Sequence, residues 1–320
     1  MSLTKSVQHT AIPLAALFLG ACSQAPHSIE EKYVLVVANT KSPYWEQVTK
    51  GLNQAARELS VSASLAGPDS FNPVVEKQEF KRILGQKPAG ILVSVGDPKE
   101  ITEEIDAAIG SGVPVITVDS DAPGSKRLFF VGTNNYEAGQ IGARAAVKQL
   151  NGKGNVVAFL TASQPNMEER LSGYRNVFAQ NPQIKLVEAI DIKGDPVIAF
   201  DKTKEFLDKR KPEIDAFISM DGQSGKEVAE VLKRANTKKV VIATDALAPT
   251  LEAIESGWIT ASVAQRPFTM GYISLRLLAD LHLNKLPSLT VDFASPNSPM
   301  PRFVDTGATL IDKSNLAGYK

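Results

Sequence analysis

The run Val113-Pro-Val-Ile-Thr-Val-Asp119 is apolar or β-branched at every position until one carboxylate ends it. A half-exposed strand would alternate; this run has no polar face, so it reads as a strand covered on both sides, as in a parallel sheet held between helices. Working outward, runs of the same kind recur at 33–38, 61–65, 90–93, 156–160, 184–190, 216–219, 240–244 and 260–264. Between them apolar residues return at helical spacing: Trp45, Val48, Leu52, Ala55, Ala56 and Leu59, then Ile101, Ile105, Ala108 and Ile109, and later Val228, Val231 and Leu232. Each stretch has one stripe to lay on a sheet. The chain is therefore expected to be an α/β protein of βαβ units with parallel central sheets.

Open parallel sheets take ligands beyond the carboxyl ends of their strands, which makes the residues just past each run the candidates. Asp119 is one; Asp221 lies past Ala216-Phe-Ile-Ser-Met220, Asp245 follows Val240-Val-Ile-Ala-Thr244, and Gln265 ends the run 260–264. Ser42, Tyr44 and Trp45 follow the first run and Ser94 the third. A lone Asp in such a place caps a helix or a turn, and Tyr or Trp at a helix start packs in the core as readily as it lines a site. Three acids with one kind of placement point past capping to a shared polar pocket.

Lys and Arg total 35, Asp and Glu 35, and no basic run breaks the balance, which excludes electrostatic capture of nucleic acid. The first residues carry Lys5, an apolar segment over 11–20 and then Leu19-Gly-Ala-Cys22. That segment is too short to span a bilayer and has the form of a secretory signal. Its end resembles a bacterial lipobox, which implies a lipoprotein signal over 1–22, a diacylglyceryl group on Cys22 and a polar tether over 23–32; two acyl chains anchor where one does not. If Cys22 is instead an ordinary residue of a signal cut elsewhere, export is still expected. Beyond the signal, about 300 residues exceed what one core carries, so two lobes are expected. Cys22 is the single cysteine, so no disulfide, redox pair or zinc cluster is expected. The histidines are His9, His27 and His282, in the signal, the tether and a helix surface, which leaves general-base histidine chemistry without a home. Gly222-Gln-Ser-Gly-Lys226 lacks phosphate-loop spacing, and Gly139-Gln-Ile-Gly142 is a fragment of the dinucleotide pattern. Neither cofactor nor metal is expected.

From residue 33 onward the chain resembles the ribose-type periplasmic sugar-binding proteins of ABC transporters. The segments that carry the resemblance are Val34-Leu-Val-Val-Ala-Asn-Thr-Lys-Ser-Pro-Tyr-Trp45, Pro114-Val-Ile-Thr-Val-Asp119, Val131-Gly-Thr-Asn-Asn-Tyr-Glu-Ala-Gly139, Glu169-Arg-Leu-Ser-Gly-Tyr174, Ala243-Thr-Asp245 and Ala264-Gln-Arg-Pro267. The resemblance implies two Rossmann-like lobes joined by a three-segment hinge, with crossings near 132–134, near Gln265 and near 293–301. It divides the chain into an N-terminal lobe of 33–132 plus 265–293 and a C-terminal lobe of 133–264 plus 294–320. It also implies that Ser42, Tyr44, Trp45, Ser94, Asp119, Ser120, Arg170, Asp221, Asp245 and Gln265 contact a monosaccharide or polyol. Their chemistry suits that guest: carboxylates accept from neighbouring hydroxyls, a guanidinium offers a fixed fork of donors, and aromatic faces take the C–H side of a sugar ring.

The chain departs from the ribose binders of that family, which have an amide at Ser42, another near Ser94, an arginine at Ser120 and an asparagine at Asp221. A loop around Asp195-Pro196 also lacks the family's aromatic. These departures make the pocket more acidic and point to a neutral hexose or polyol, or to an amino sugar, rather than ribose. By the resemblance, the loaded monomer docks on an ABC permease served by its ATPase, with the lipid anchor as its only membrane attachment. A lipid-anchored receptor for chemotaxis or a sensor kinase would have the same pocket. A glycosidase using Asp119 and Asp245 as its carboxyl pair is the enzyme alternative. A lac-repressor-like role is excluded, because a signal and a tether stand where a helix-turn-helix would be.

Overall fold

A computed structural model of the chain describes residues 26–210, 213–284 and 301–319. The expected signal, Cys22 and most of the proline-rich stretch 295–301 lie outside the described residues. The apolar runs become strands: β1 (Lys32–Val37), β2 (Ser62–Ala66), β3 (Gly90–Ser94), β4 (Val115–Val118) and β5 (Phe130–Gly132) form the first lobe, with α1 (Tyr44–Leu59), α2 (Pro73–Leu84) and α3 (Pro98–Gly110) between them. Through α4 (Asn135–Gln149) the chain enters the second lobe: β6 (Gly154–Leu160), α5 (Pro165–Ala179), β7 (Ile184–Asp191), α6 (Pro196–Arg210), β8 (Ala216–Ser219), α7 (Ser224–Arg234), β9 (Val240–Thr244), α8 (Ala248–Glu255) and β10 (Ala261–Ala264). It returns with α9 (Pro267–Leu283) to the first lobe and ends with β11 (Phe303–Asp305) and β12 (Thr309–Ile311).

Among the described residues each lobe has a six-stranded sheet, in the order β11-β5-β4-β3-β1-β2 and β12-β10-β9-β8-β6-β7. All neighbours are parallel except β12, which runs against β10. The helical stripes expected from the sequence do the covering: Val48, Leu52, Ile101, Ile105, Val228 and Leu232 are fully buried, each removal from water contributing about 1.5–3 kcal/mol.

The lobes repeat one another. In the first, α1 and α9 touch backbone to backbone: a Cβ at Gly51 would stand 2.0 Å from the Phe268 carbonyl, and one at Gly271 2.0 Å from that of Val48. In the second, α5 and α4 do the same, with a Cβ at Gly173 2.1 Å from the Tyr136 carbonyl and one at Gly139 2.0 Å from that of Arg170. Only glycine permits such an approach in a close-packed interior. The repeat sets Arg170 at the position that Val48 holds in the first lobe.

The chain passes between lobes at 133–134, at 265–266 and at 306–308. The third passage was expected at 293–301, with 294–320 in the second lobe; instead 303–305 belong to the first. There β11 pairs with β5, Phe303 opposite Phe130 and Asp305 opposite Gly132, and the Phe303 and Phe130 rings stack at 5.2 Å. The first and third passages are also zipped together, since Thr306 donates from its N–H (2.7 Å) and hydroxyl (3.0 Å) to the Gly132 carbonyl. Residues 26–31 of the expected tether lie against the first lobe: His27 is buried, and Glu31 takes bonds from its Nδ1 (2.9 Å) and from the Tyr33 hydroxyl (3.0 Å).

Candidate functional site

Two aspartates stand at matching strand tips. Asp119 leaves β4 with φ 66° and Asp245 leaves β9 with φ 68°, the left-handed region that Asp enters more readily than bulky residues. Each donates its N–H to the neighbouring strand, Asp119 to the Val131 carbonyl of β5 (3.0 Å) and Asp245 to the Val263 carbonyl of β10 (2.9 Å). Both carboxyls line one cleft of about 630 Å³ between the lobes. Asp119 accepts from the hydroxyls of Tyr44 (2.8 Å) and Ser94 (3.2 Å) and from the Asn166 amide (3.4 Å). Burial pushes its pKa up, while the Tyr44 bond, the Arg170 charge and the Ser94 bond pull the other way. Asp245 has the Gln265 amide at 2.9 Å. Burial, with Asp119 and Asp221 nearby, raises its pKa to about 6 despite Gln265 and Arg170.

Arg170 is brought from α5 and is 3% exposed. Its guanidinium donates to the Met220 carbonyl and, at 2.7 Å, to Asn135 Oδ1, while its Nε–H has no partner. The oxygens Asn166 Oδ1 and Gln265 Oε1 are likewise buried without partners. The wall thus presents one unspent donor and two unspent acceptors, which a polyhydroxylated guest would satisfy; left alone, each such group costs about 1–3 kcal/mol.

Of the ten sequence candidates, Ser42, Tyr44, Trp45, Asp119, Arg170, Asp221, Asp245 and Gln265 line the cleft. Ser94 and Ser120 do not: Ser94 supports Asp119 from behind, and Ser120 is fully buried with its hydroxyl unpartnered. Asp221 lines the cleft but is spent on the turn that leads into α7, its Oδ1 accepting from the N–H groups of Gln223 (2.8 Å) and Ser224 (2.9 Å) and its Oδ2 from the Ser224 hydroxyl. The wall also contains Asn39, Phe71, Gln164, Asn166 and Gln223, which sequence reasoning missed. Asn39 fixes the Trp45 indole N–H at 2.8 Å. Phe71 bears on the aromatic missing near Asp195: its ring lies so close to Gly194 that a Cβ there would be 2.4 Å from it, so the ring comes from the opposite lobe.

The lobes are shut on each other. Asn166 reaches Asp119, Ser163 donates to the Gly96 carbonyl (2.9 Å), and Gln223 reaches the Ser42 hydroxyl (3.4 Å). Gly96 in turn donates to the buried carboxyl of Glu76 (3.0 Å), whose pKa burial raises to about 8. Among the described residues no group of His, Cys, Asp and Glu is arranged to hold a metal ion, and no helix is long and apolar enough to cross a membrane.

Residues 33–285 match the family model described as a periplasmic binding protein domain. The D-allose-binding periplasmic protein of Escherichia coli (strain K12) is 26% identical over 261 residues, 78% of this chain and 84% of that protein. Among solved structures, an ABC transporter solute-binding protein from Burkholderia graminis in complex with D-arabinose superposes with a TM-score of 0.81 at 27% identity, covering 90% of this chain and 97% of that one. AraP, an arabinose-binding protein from Geobacillus stearothermophilus, does so with a TM-score of 0.75 at 31% identity, covering 91% and 99%.

Proposed function

The chain belongs to the periplasmic binding protein family, and from that premise we propose that it is the substrate-binding component of an ABC importer, capturing a monosaccharide or related polyol between its lobes. The observation that carries this reading is the convergence of Asp119 and Asp245, from opposite lobes, with buried Arg170 on one cleft. A guest that touches both lobes binds the shut form better than the open one and shifts the population toward it. The acid excess is partly absorbed, Asp221 by the α7 N-terminus and Asp119 by its three donors, so a neutral sugar is preferred to an amino sugar. The ligand contacts are the eight cleft-lining candidates named above, joined by Asn166 and Phe71.

The rest of the reading follows from the family and the leader sequence. The protein acts as an exported monomer, anchored through a lipid on Cys22, and hands its ligand to a permease and ATPase; it performs no catalysis. Native mass spectrometry of freshly purified protein, followed by calorimetry over pentoses, hexoses, inositols and hexosamines, tests it. A bound neutral sugar is expected, and failure of every compound to bind would overturn the reading.

A further inference from the structure

Beside the cleft runs a second groove, of about 870 Å³, that the sugar contacts do not use. The first lobe supplies Pro43 and Glu46 and the second supplies Leu247, Ala248 and Pro249, and the groove shares Gly222 and Gln223 with the cleft. Like the cleft, it is formed by the two lobes together. What separates the spaces is thin. One part is the side-chain contact from Gln223 Nε2 to the Ser42 hydroxyl, 3.4 Å long. The other is Gly222: a Cβ there would lie 2.7 Å from Asp245 Oδ2 and 3.3 Å from Leu247 Cδ1, so a cleft carboxylate and a groove leucine are parted by a residue with no side chain.

We propose that this groove is an aglycone subsite, and that the protein accepts glycosides carrying a short apolar substituent, the sugar ring in the cleft and the substituent on Pro43, Leu247 and Pro249. The class follows from the walls. Ala246, Leu247, Ala248 and Pro249 give an apolar side, whereas Lys226 and Glu227 pair with each other at 3.2 Å on the rim and Glu46 adds a negative charge, so the groove does not suit an anion. A rotamer change that takes the Gln223 amide off Ser42 would open the side-chain part of this partition. A substituent held by both lobes adds to the preference for the shut form.

The inference rests on the monosaccharide reading, and the test separates the two. Calorimetry compares each free sugar that binds with its phenyl α- and β-glycosides, on the wild type and on Ala248→Trp, whose indole would fill the groove from an exposed position; a thermal melt verifies that the variant folds. The expected result is that one anomer binds the wild type within tenfold of the free sugar, and that Ala248→Trp weakens that glycoside at least thirtyfold while leaving the free sugar unchanged. If free sugars bind and both anomers lose more than a hundredfold, or if Ala248→Trp leaves the glycoside's affinity untouched, the subsite is refuted while the monosaccharide reading stands. If neither sugars nor glycosides bind, the monosaccharide reading falls and takes the subsite with it.

Discussion

Burial keeps Asp245 protonated up to about pH 6, whereas a ligand hydroxyl donating to it favours the carboxylate, so capture and deprotonation are linked. Affinity should therefore be flat above pH 7 and fall as pH drops below 6, by up to about tenfold per unit for one linked proton. Calorimetry between pH 4.5 and 8 measures this, and Asp245→Asn should both weaken binding and abolish the trend. Arg170→Met should remove most affinity, because it deletes the buried donor and strips the counter-charge from two carboxyls; circular dichroism should show the fold retained. The acids were legible because residues just past the apolar runs of parallel strands sit at the edge where such sheets take ligands. Ser94 and Ser120 lie at the same edge but are buried off the cleft wall, a distinction that spacing does not reveal. Asn166 was hidden because its signal is the repeat: it occupies in α5 the place of Tyr44 in α1, and only the paired glycines align the two helices.

At the scale of elements, α2 carries a carboxyl that its packing does not solvate. Glu76 is fully buried with its pKa raised to about 8. A raised pKa means that the folded state holds a proton which the unfolded state has released above pH 4.5, so this stabilising effect is complete at low pH and is lost as pH rises toward 8, at about 1.4 kcal/mol per unit. Glu76→Gln should flatten the fall in unfolding free energy between pH 5 and 8, as read by denaturant titration, and be the more stable form at pH 9. The α4–α5 contact gives a second prediction. Gly139→Ala places a methyl 2.0 Å from the Arg170 carbonyl, so it should cost about 1–3 kcal/mol by overpacking and weaken binding, since it displaces the helix that holds the guanidinium. Long runs and stripes were readable as elements, whereas β5, β11 and β12 were not: at three residues each, none is long enough to show a period.

The molecule as a whole is held shut by few bonds, and one close contact tests how finely. Gly194, at φ 75°, lies against Phe71 of the other lobe. Gly194→Ala adds left-handed strain of about 1–2 kcal/mol and a collision with that ring, so the ligand-free variant should be more open, with a larger radius of gyration by small-angle scattering and weaker capture; an unchanged radius would show that the contact does not govern closure. Two lobes and three passages were foreseeable, but the place of the third was not, because it is set by the stacking of Phe303 on Phe130, a pairing across more than half the chain. That same strand has a bearing on biogenesis. Because β11 closes the sheet that β1 opens, the first lobe stays incomplete until residues 303–305 have been made, long after its other five strands. Periplasmic binding proteins are exported, and a first lobe that lacks its closing edge strand until late in synthesis is an unfinished unit for most of the time before export.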